Sequence, residues 1–187
     1  MYISVQDRLV QEITELMYYN IPCTYMRGGT SRALIFQKKD LPADKTLWPE
    51  FFMKALGVRM TAVGLSAMGV DFPTHKIAVI SPHEGDDADV DYDFFQTDDE
   101  NYYVDNRGNC GNMSSAVGPY AIDEGMVAAT EPETIVRIFN TNTKRIIRSR
   151  VLVKNVKSSI EGDTRIHGVP GTGSPSELTF HNHGGGL

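Results

Sequence analysis

Four consecutive residues, Asn109, Cys110, Gly111 and Asn112, stand directly before Met-Ser-Ser-Ala-Val-Gly-Pro-Tyr-Ala-Ile, a stretch with helical apolar spacing. A cysteine placed there meets the unpaired first N–H groups of a helix and the positive end of its dipole. Both favour the thiolate, the form that attacks or takes a proton. Asn109 reads as the N-cap, and Gly111 as a position where a ligand can approach the backbone closely. Taken alone, the four residues suit a buried structural cysteine as well as a reactive one.

Lys76 opens the apolar run Ile77 to Ile80. A lysine held against an apolar wall loses proton affinity and can act as a base near neutral pH, although lysines at strand starts are also common solubility devices. His75 is its neighbour, and adjacent residues of a strand point to opposite faces, so only one of the two serves a given site. The turn Arg27, Gly28, Gly29, Thr30, Ser31, Arg32 offers backbone N–H groups to a carboxylate or phosphate, with Arg27 or Arg32 as a bidentate clamp. An ordinary turn with solvated arginines fits the same residues. Together with Gly64 to Lys76, these clusters near strand ends and a helix start can line one anion site. The acidic run Asp86, Asp87, Asp89, Asp91, Asp93 lacks the glycine and terminal glutamate of a calcium loop and reads as a solvated strand face. His167, His181 and His183 are scattered, and no metal site is expected.

The elements that must position these groups follow from pattern. At 187 residues and 41% hydrophobic content the chain can bury a sizeable core in one domain or slightly more. A net charge of −6 argues against a phosphate-backbone binder, so nucleic acid is not an expected partner. Two cysteines, Cys23 and Cys110, make neither a disulfide framework nor a common zinc pattern, which fits a reducing, cytoplasmic setting. Residues 1–20 show the spacing of an amphipathic surface helix and lack the apolar run of a signal peptide or membrane span. Strands are expected at 21–26, 32–37, 76–80, 90–96, 102–104, 134–140 and 146–153, with further strands at 165–167 and 178–180. A short helix is expected from Leu47 to a stop at Gly57. A buried helix should follow Cys110 and end at Glu124 and Gly125, with a kink or early break near Gly118 because Pro119 removes a donor. Many strands around few helices indicate an α+β fold, a mixed or antiparallel sheet curled about a central helix. Residues 181–187, with three consecutive glycines, read as a tail.

Longer motifs occur in order along the chain: Ile21-Pro-Cys-Thr-Tyr-Met-Arg-Gly-Gly-Thr-Ser-Arg32, Asp86-Asp-Ala-Asp-Val-Asp-Tyr92, Asn109-Cys-Gly-Asn-Met113 with Val117-Gly-Pro119, and Gly162-Asp-Thr-Arg-Ile-His-Gly-Val-Pro-Gly-Thr172. From Ile21 to about Phe180 the chain resembles the PrpF-like family of 2-methylaconitate cis–trans isomerases and 4-oxalomesaconate tautomerases. The resemblance implies the diaminopimelate-epimerase-like fold, two similar domains with the active site between them, and residues 21–180 resemble the first domain only. It further implies an isomerase or tautomerase that moves a proton in an allylic system of a small di- or tricarboxylate without metal or organic cofactor. Lys76 matches the family's proposed catalytic lysine and Cys110 its motif cysteine. Arg27, Gly28, Gly29, Thr30 and Ser31, with the backbone of Asn109, Gly111 and Asn112, match contacts to substrate carboxylates. The loop Ser66 to Lys76 departs from the family pattern, with His75 where a small serine is usual. The expected partner is a second copy or a chain supplying the other domain; the alternative expectation is a non-catalytic remnant that self-associates.

Overall fold

The computed structural model describes residues 20–57, 75–98 and 101–180. The expected N-terminal helix (but for Asn20), the loop from Gly64 to Thr74 and the tail lie outside these residues. Among the described residues nine strands form one mixed sheet: β1 (Thr24–Gly28), β2 (Ser31–Gln37), β3 (Lys76–Pro82), β4 (Val90–Asp98), β5 (Tyr103–Asp105), β6 (Glu133–Asn140), β7 (Arg145–Lys154), β8 (Lys157–Ser158) and β9 (Glu177–Phe180). The order is β1-β2-β3-β4-β6-β7-β8, with β5 on β4 and β9 on β7. Pairs β2–β3 and β4–β6 are parallel, and the others are antiparallel.

Strand alternation decides which residues meet which helix. On one face Ala33, Ile35, Ala78, Ile80, Tyr92, Val136, Ile138 and Ile147 pack around the central helix α2 (Gly111–Asp123), through Met113, Ala116, Val117, Tyr120 and Ala121. On the other face Leu34, Phe36, Ile77, Val79 and Phe95 meet α1 (Trp48–Ala55) through Trp48, Phe52 and Met53. Strands β2 and β3 are covered on both sides, which is why Ala33 to Phe36 and Ile77 to Ile80 are unbroken apolar runs. Strand β6 is covered on one side only: Val136 and Ile138 are buried while Ile135 is half exposed. Burying a side chain such as Phe52 contributes about 1.5–3 kcal/mol, and its ring sits 4.9 Å from that of Phe95.

Helix α2 starts and stops for identifiable reasons. At its C-terminus the N–H of Gly125 (φ +70°) reaches the Ile122 carbonyl at 3.0 Å, and that of Met126 reaches Ala121 at 2.8 Å. This is the paired closure that a left-handed glycine permits. Lys157 Nζ donates to the Asp123 carbonyl at 2.6 Å and holds β8 to the same end. The expected break near Gly118 does not occur: the helix runs through Pro119 to Asp123. Proline leaves the Ser115 carbonyl without its helical donor, and the Ser176 hydroxyl donates there instead, at 3.4 Å. Gly118 has a packing role, because a Cβ there would lie 2.5 Å from Ser149 Oγ and 2.9 Å from Val151 Cγ2.

Two further expectations are corrected. Residues 165–167 form no strand; Thr164 makes an isolated bridge to Gly173, which folds the intervening residues into turns. The acidic run is less a solvated face than a set of fasteners. Asp89 takes the Arg137 guanidinium at 2.6 Å and the Arg137 N–H at 2.7 Å. Asp91 and Asp87 flank the His83 ring nitrogens at 2.6 and 2.9 Å. Asp93 accepts from the Thr141 hydroxyl. No group of residues suited to hold a metal ion occurs among the described residues, and none of their helices is long and apolar enough to cross a membrane.

Gly118→Ala is expected to cost about 1–3 kcal/mol by overpacking against β7, read as a lowered thermal midpoint. Ser149→Ala should be neutral or stabilising, because the Ser149 hydroxyl is buried without a partner. The Asp91 hydrogen bond, aided by Asp87, raises the pKa of His83 above its ordinary value. The stability that His83 contributes is therefore complete below the unfolded histidine pKa and is lost as pH rises through the folded one. His83→Gln should lower urea stability more at about pH 5.5 than at about pH 8.5; an equal loss at both would show that the ring's charge is irrelevant.

Candidate functional site

The β1–β2 connection is the two-residue loop Gly29–Thr30, flanked by the Gly28–Ser31 pair. Gly29 takes φ +54°, a conformation suited to glycine at the first position of a tight hairpin. The loop rests directly on the first turn of α2: a Cβ on Gly28 would lie 2.2 Å from the Asn112 carbonyl oxygen, and one on Gly29 would lie 2.3 Å from Asn112 Oδ1. Asn112 Nδ2 completes the joint by donating to Thr30 Oγ1 at 2.9 Å. Both glycines thus allow the hairpin to touch the helix, and the Asn112 carboxamide is committed to holding it there. Gly111 is different. Its backbone needs no glycine, and among the described residues nothing lies within 4 Å of where its Cβ would be, so a side chain would have room there.

Cys110, rather than Asn109, is the N-cap of α2, in extended conformation and with no side-chain capping bond. Its carbonyl accepts from the Ser114 N–H at 2.9 Å and the Ser114 hydroxyl at 3.0 Å. Its thiol is half-buried and lies 3.9 Å from Ser31 Oγ. Asn109 is directed elsewhere: its Oδ1 faces Asn140 Nδ2 at 3.2 Å and Ser114 Oγ at 3.1 Å.

Lys76 reaches the same corner from β3. It is 6% exposed, and alternation places it on the face of Ala78 and Ile80, toward α2. Burial pushes its ammonium below the ordinary lysine pKa, and the nearby Cys110, when charged, pulls it part of the way back. The residue before it is pinned: the His75 carbonyl accepts from Thr97 N–H at 3.1 Å and Gln96 Nε2 at 2.7 Å. The ladder so extended sends His75 to the opposite face from Lys76.

The structure therefore brings Lys76, Cys110, Ser31 and the start of α2 together. It does not bring Arg32 to them, since alternation puts Arg32 on the side of Leu34 and Phe36, half-buried and with Nε unpartnered. Arg27 is exposed and lines an open groove of about 640 Å³ with Gly29, Gly111, Asn112 and Ile160. Lys76 and Cys110 lie outside that groove's lining. Sequence reasoning missed the polar layer beneath the thiol: Ser114, Tyr92 and Asn140, all buried. A signal for Asn140 existed, because it continues the inward register of Val136 and Ile138. Tyr92 pairs with Asn140 across the sheet, and its fully buried hydroxyl lies near Ser114 without a well-formed hydrogen bond. Burial, chiefly, and the neighbouring Cys110 keep that phenol protonated.

The profile of the PrpF protein family matches residues 18–186. The chain is 42% identical over 165 residues to the 3-methylitaconate isomerase of Eubacterium barkeri, covering 88% of this chain and 43% of that protein. It is 40% identical over 164 residues to the 4-oxalomesaconate tautomerase of Pseudomonas putida, covering 86% and 44%. A crystal structure of methylitaconate-delta-isomerase superposes with a TM-score of 0.80 at 43% identity, over 84% of this chain and 41% of that one. The chain thus spans less than half the length of these relatives.

With burial pushing its ammonium down and Cys110 pulling it part of the way back, the Lys76 side chain should titrate below the surface lysines in heteronuclear NMR, and Cys110→Ala should lower its midpoint further. Equal midpoints in the two proteins would show that the groups do not sense each other.

Proposed function

This chain belongs to the PrpF family, and from that premise we propose that the corner formed by Lys76 and Cys110 moves a proton between two carbons of a small unsaturated di- or tricarboxylate. The observation that supports this most is the convergence of a buried lysine of lowered pKa and a half-buried thiol at the open start of one helix. A neutral Lys76 amine takes a proton from a carbon allylic to the substrate's double bond. The electron pair delocalises into the adjacent carboxylate, giving an enolate-like dianion, and a proton returns at the far carbon, with Cys110 as the second proton-transfer group. The net change is a shifted double bond, balanced by one proton removed and one returned.

Charge on the intermediate sets the demand for donors. The unpaired N–H groups at the start of α2, reached through the space that Gly111 leaves, meet one carboxylate. The N–H groups of Gly29, Thr30 and Ser31 and the exposed Arg27 are assigned to a second. Residues 21–180 act as the first domain, and the opposite wall comes from a second half in the same or another polypeptide, as the greater length of the relatives supports. That wall would exclude water and strengthen each of these contacts.

The test is incubation with a methylitaconate- or oxalomesaconate-type substrate in deuterated water, alone and with the separately expressed C-terminal half of the Eubacterium barkeri isomerase. Deuterium is expected in the carbon skeleton, falling by ~10²–10⁴-fold in Lys76→Ala and in Cys110→Ser. No incorporation under either condition would refute the catalytic reading and favour a chain that folds and associates without turnover.

A further inference from the structure

We infer that Asn140, at the end of β6, is a positioning residue that decides which end of the Asn109 carboxamide faces the substrate. It rests on the reading above, in which a substrate carboxylate sits at the start of α2, which Asn109 and Cys110 directly precede. The argument is one of donors and acceptors. The backbone N–H of Thr143 can only donate, and it lies 2.8 Å from one terminal atom of the Asn140 side chain, as does the Thr143 hydroxyl. That atom is therefore oxygen, and the other terminal atom of Asn140 is the NH₂ group. It sits 3.2 Å from Asn109, so the Asn109 atom that faces inward must be its oxygen. The Ser114 hydroxyl lies 3.1 Å from the same oxygen and 3.0 Å from the Cys110 carbonyl, and its one proton goes to either acceptor.

The orientation at the surface follows from an amide group that is not at the surface. Asn140 is completely buried, while Asn109 is exposed. With its oxygen turned in, Asn109 must turn its NH₂ toward the open side, where no described residue accepts from it. A carboxamide could offer either a donor pair or an acceptor to an incoming ligand. A substrate carboxylate, and still more the dianion formed from it, needs donors, and the fixed polarity of Thr143, Asn140 and Asn109 supplies them next to the thiol. The preorganisation is rigid because the network is anchored in the backbone of the β6–β7 turn, which in turn holds β4: Thr141 N–H donates to the Tyr92 carbonyl at 3.0 Å.

Asn140→Asp tests this with almost no change of shape. The new carboxylate keeps the acceptor for Thr143 but replaces the donor facing Asn109 with an oxygen. The Asn109 amide must then flip, donating inward and presenting its oxygen to the substrate. KM is expected to rise by about 10- to 100-fold, the worth of hydrogen bonds to a charged group, with kcat changed far less. Asn109→Ala should raise KM comparably, and Asn140→Asp should add nothing in that background. Additive losses, or a fall in kcat at unchanged KM, would mean that Asn140 merely supports the fold, and would overturn the inference.

A second measurement needs no turnover, and its wild-type arm needs no variant. In ¹⁵N-labelled wild-type protein the Asn109 side-chain amide protons should exchange rapidly with water, whereas in Asn140→Asp they should become protected. Protected Asn109 amide protons in the wild type would overturn the inference whatever the chain catalyses. Rapid exchange in the wild type with no deuterium transfer to substrate would instead count against the functional reading and leave the amide polarity standing.

Discussion

A helix almost wholly enclosed by a sheet sets the terms for everything else in this molecule. Of the thirteen residues of α2, eight are buried, so its sides must be apolar or very small wherever a strand passes. Gly118 is a point of close approach, at Ser149. Its ends cannot be satisfied by water all round, and each is closed differently. The C-terminus is closed by Gly125 and Lys157. The N-terminus has no side-chain capping bond from Cys110, and the β1–β2 hairpin rests on its first turn. Residues distant in sequence, Ser31, Lys76 and Cys110, all arrive at the start of α2, which is why the proposed chemistry is assigned to that end.

The same enclosure accounts for the electrostatics. Lys76 is buried because β3 runs through the middle of the sheet, with both of its faces covered. Desolvation then works against its charge, and the thiol at the mouth of the helix works for it. Asp87, Asp89, Asp91 and Asp93 fasten the β3–β4 connection and the β6–β7 turn.

Much of this was legible in the sequence, for reasons that can be stated residue by residue. The alternation in Val90, Tyr92 and Phe94, the glycine pair in the hairpin and the Glu124–Gly125 stop each encode a local geometry that tertiary packing had no cause to override. The opposed faces of His75 and Lys76 followed from the pleat alone. What was misread depended on partners far along the chain. Pro119 looked like a break because Ser176, which donates to the carbonyl that proline orphans, lies 57 positions on. Asn109 looked like the N-cap because nothing local reveals that its oxygen is claimed by Asn140, 31 positions on. The acidic run looked solvated because its partners, His83, Arg137 and Thr141, belong to other elements.

Long-range polar contacts are thus where sequence reading failed, and they are also where the site acquires its direction. A thiol at a helix start is chemically ambiguous: the same placement serves structure or reactivity. The hairpin glycines do not resolve it, since the need for close packing explains them. The buried layer does more. Tyr92, Asn140 and Ser114 are polar groups carried into a core that could have been filled with valine and leucine at less cost in desolvation. A core keeps such groups when their orientation matters, and here the orientation that Asn140 imposes ends at an exposed amide beside Cys110. The polarity of the site is therefore set from below by the sheet, in advance of any ligand, which is the condition under which hydrogen-bond donors stabilise a developing anion rather than merely bind a stable one.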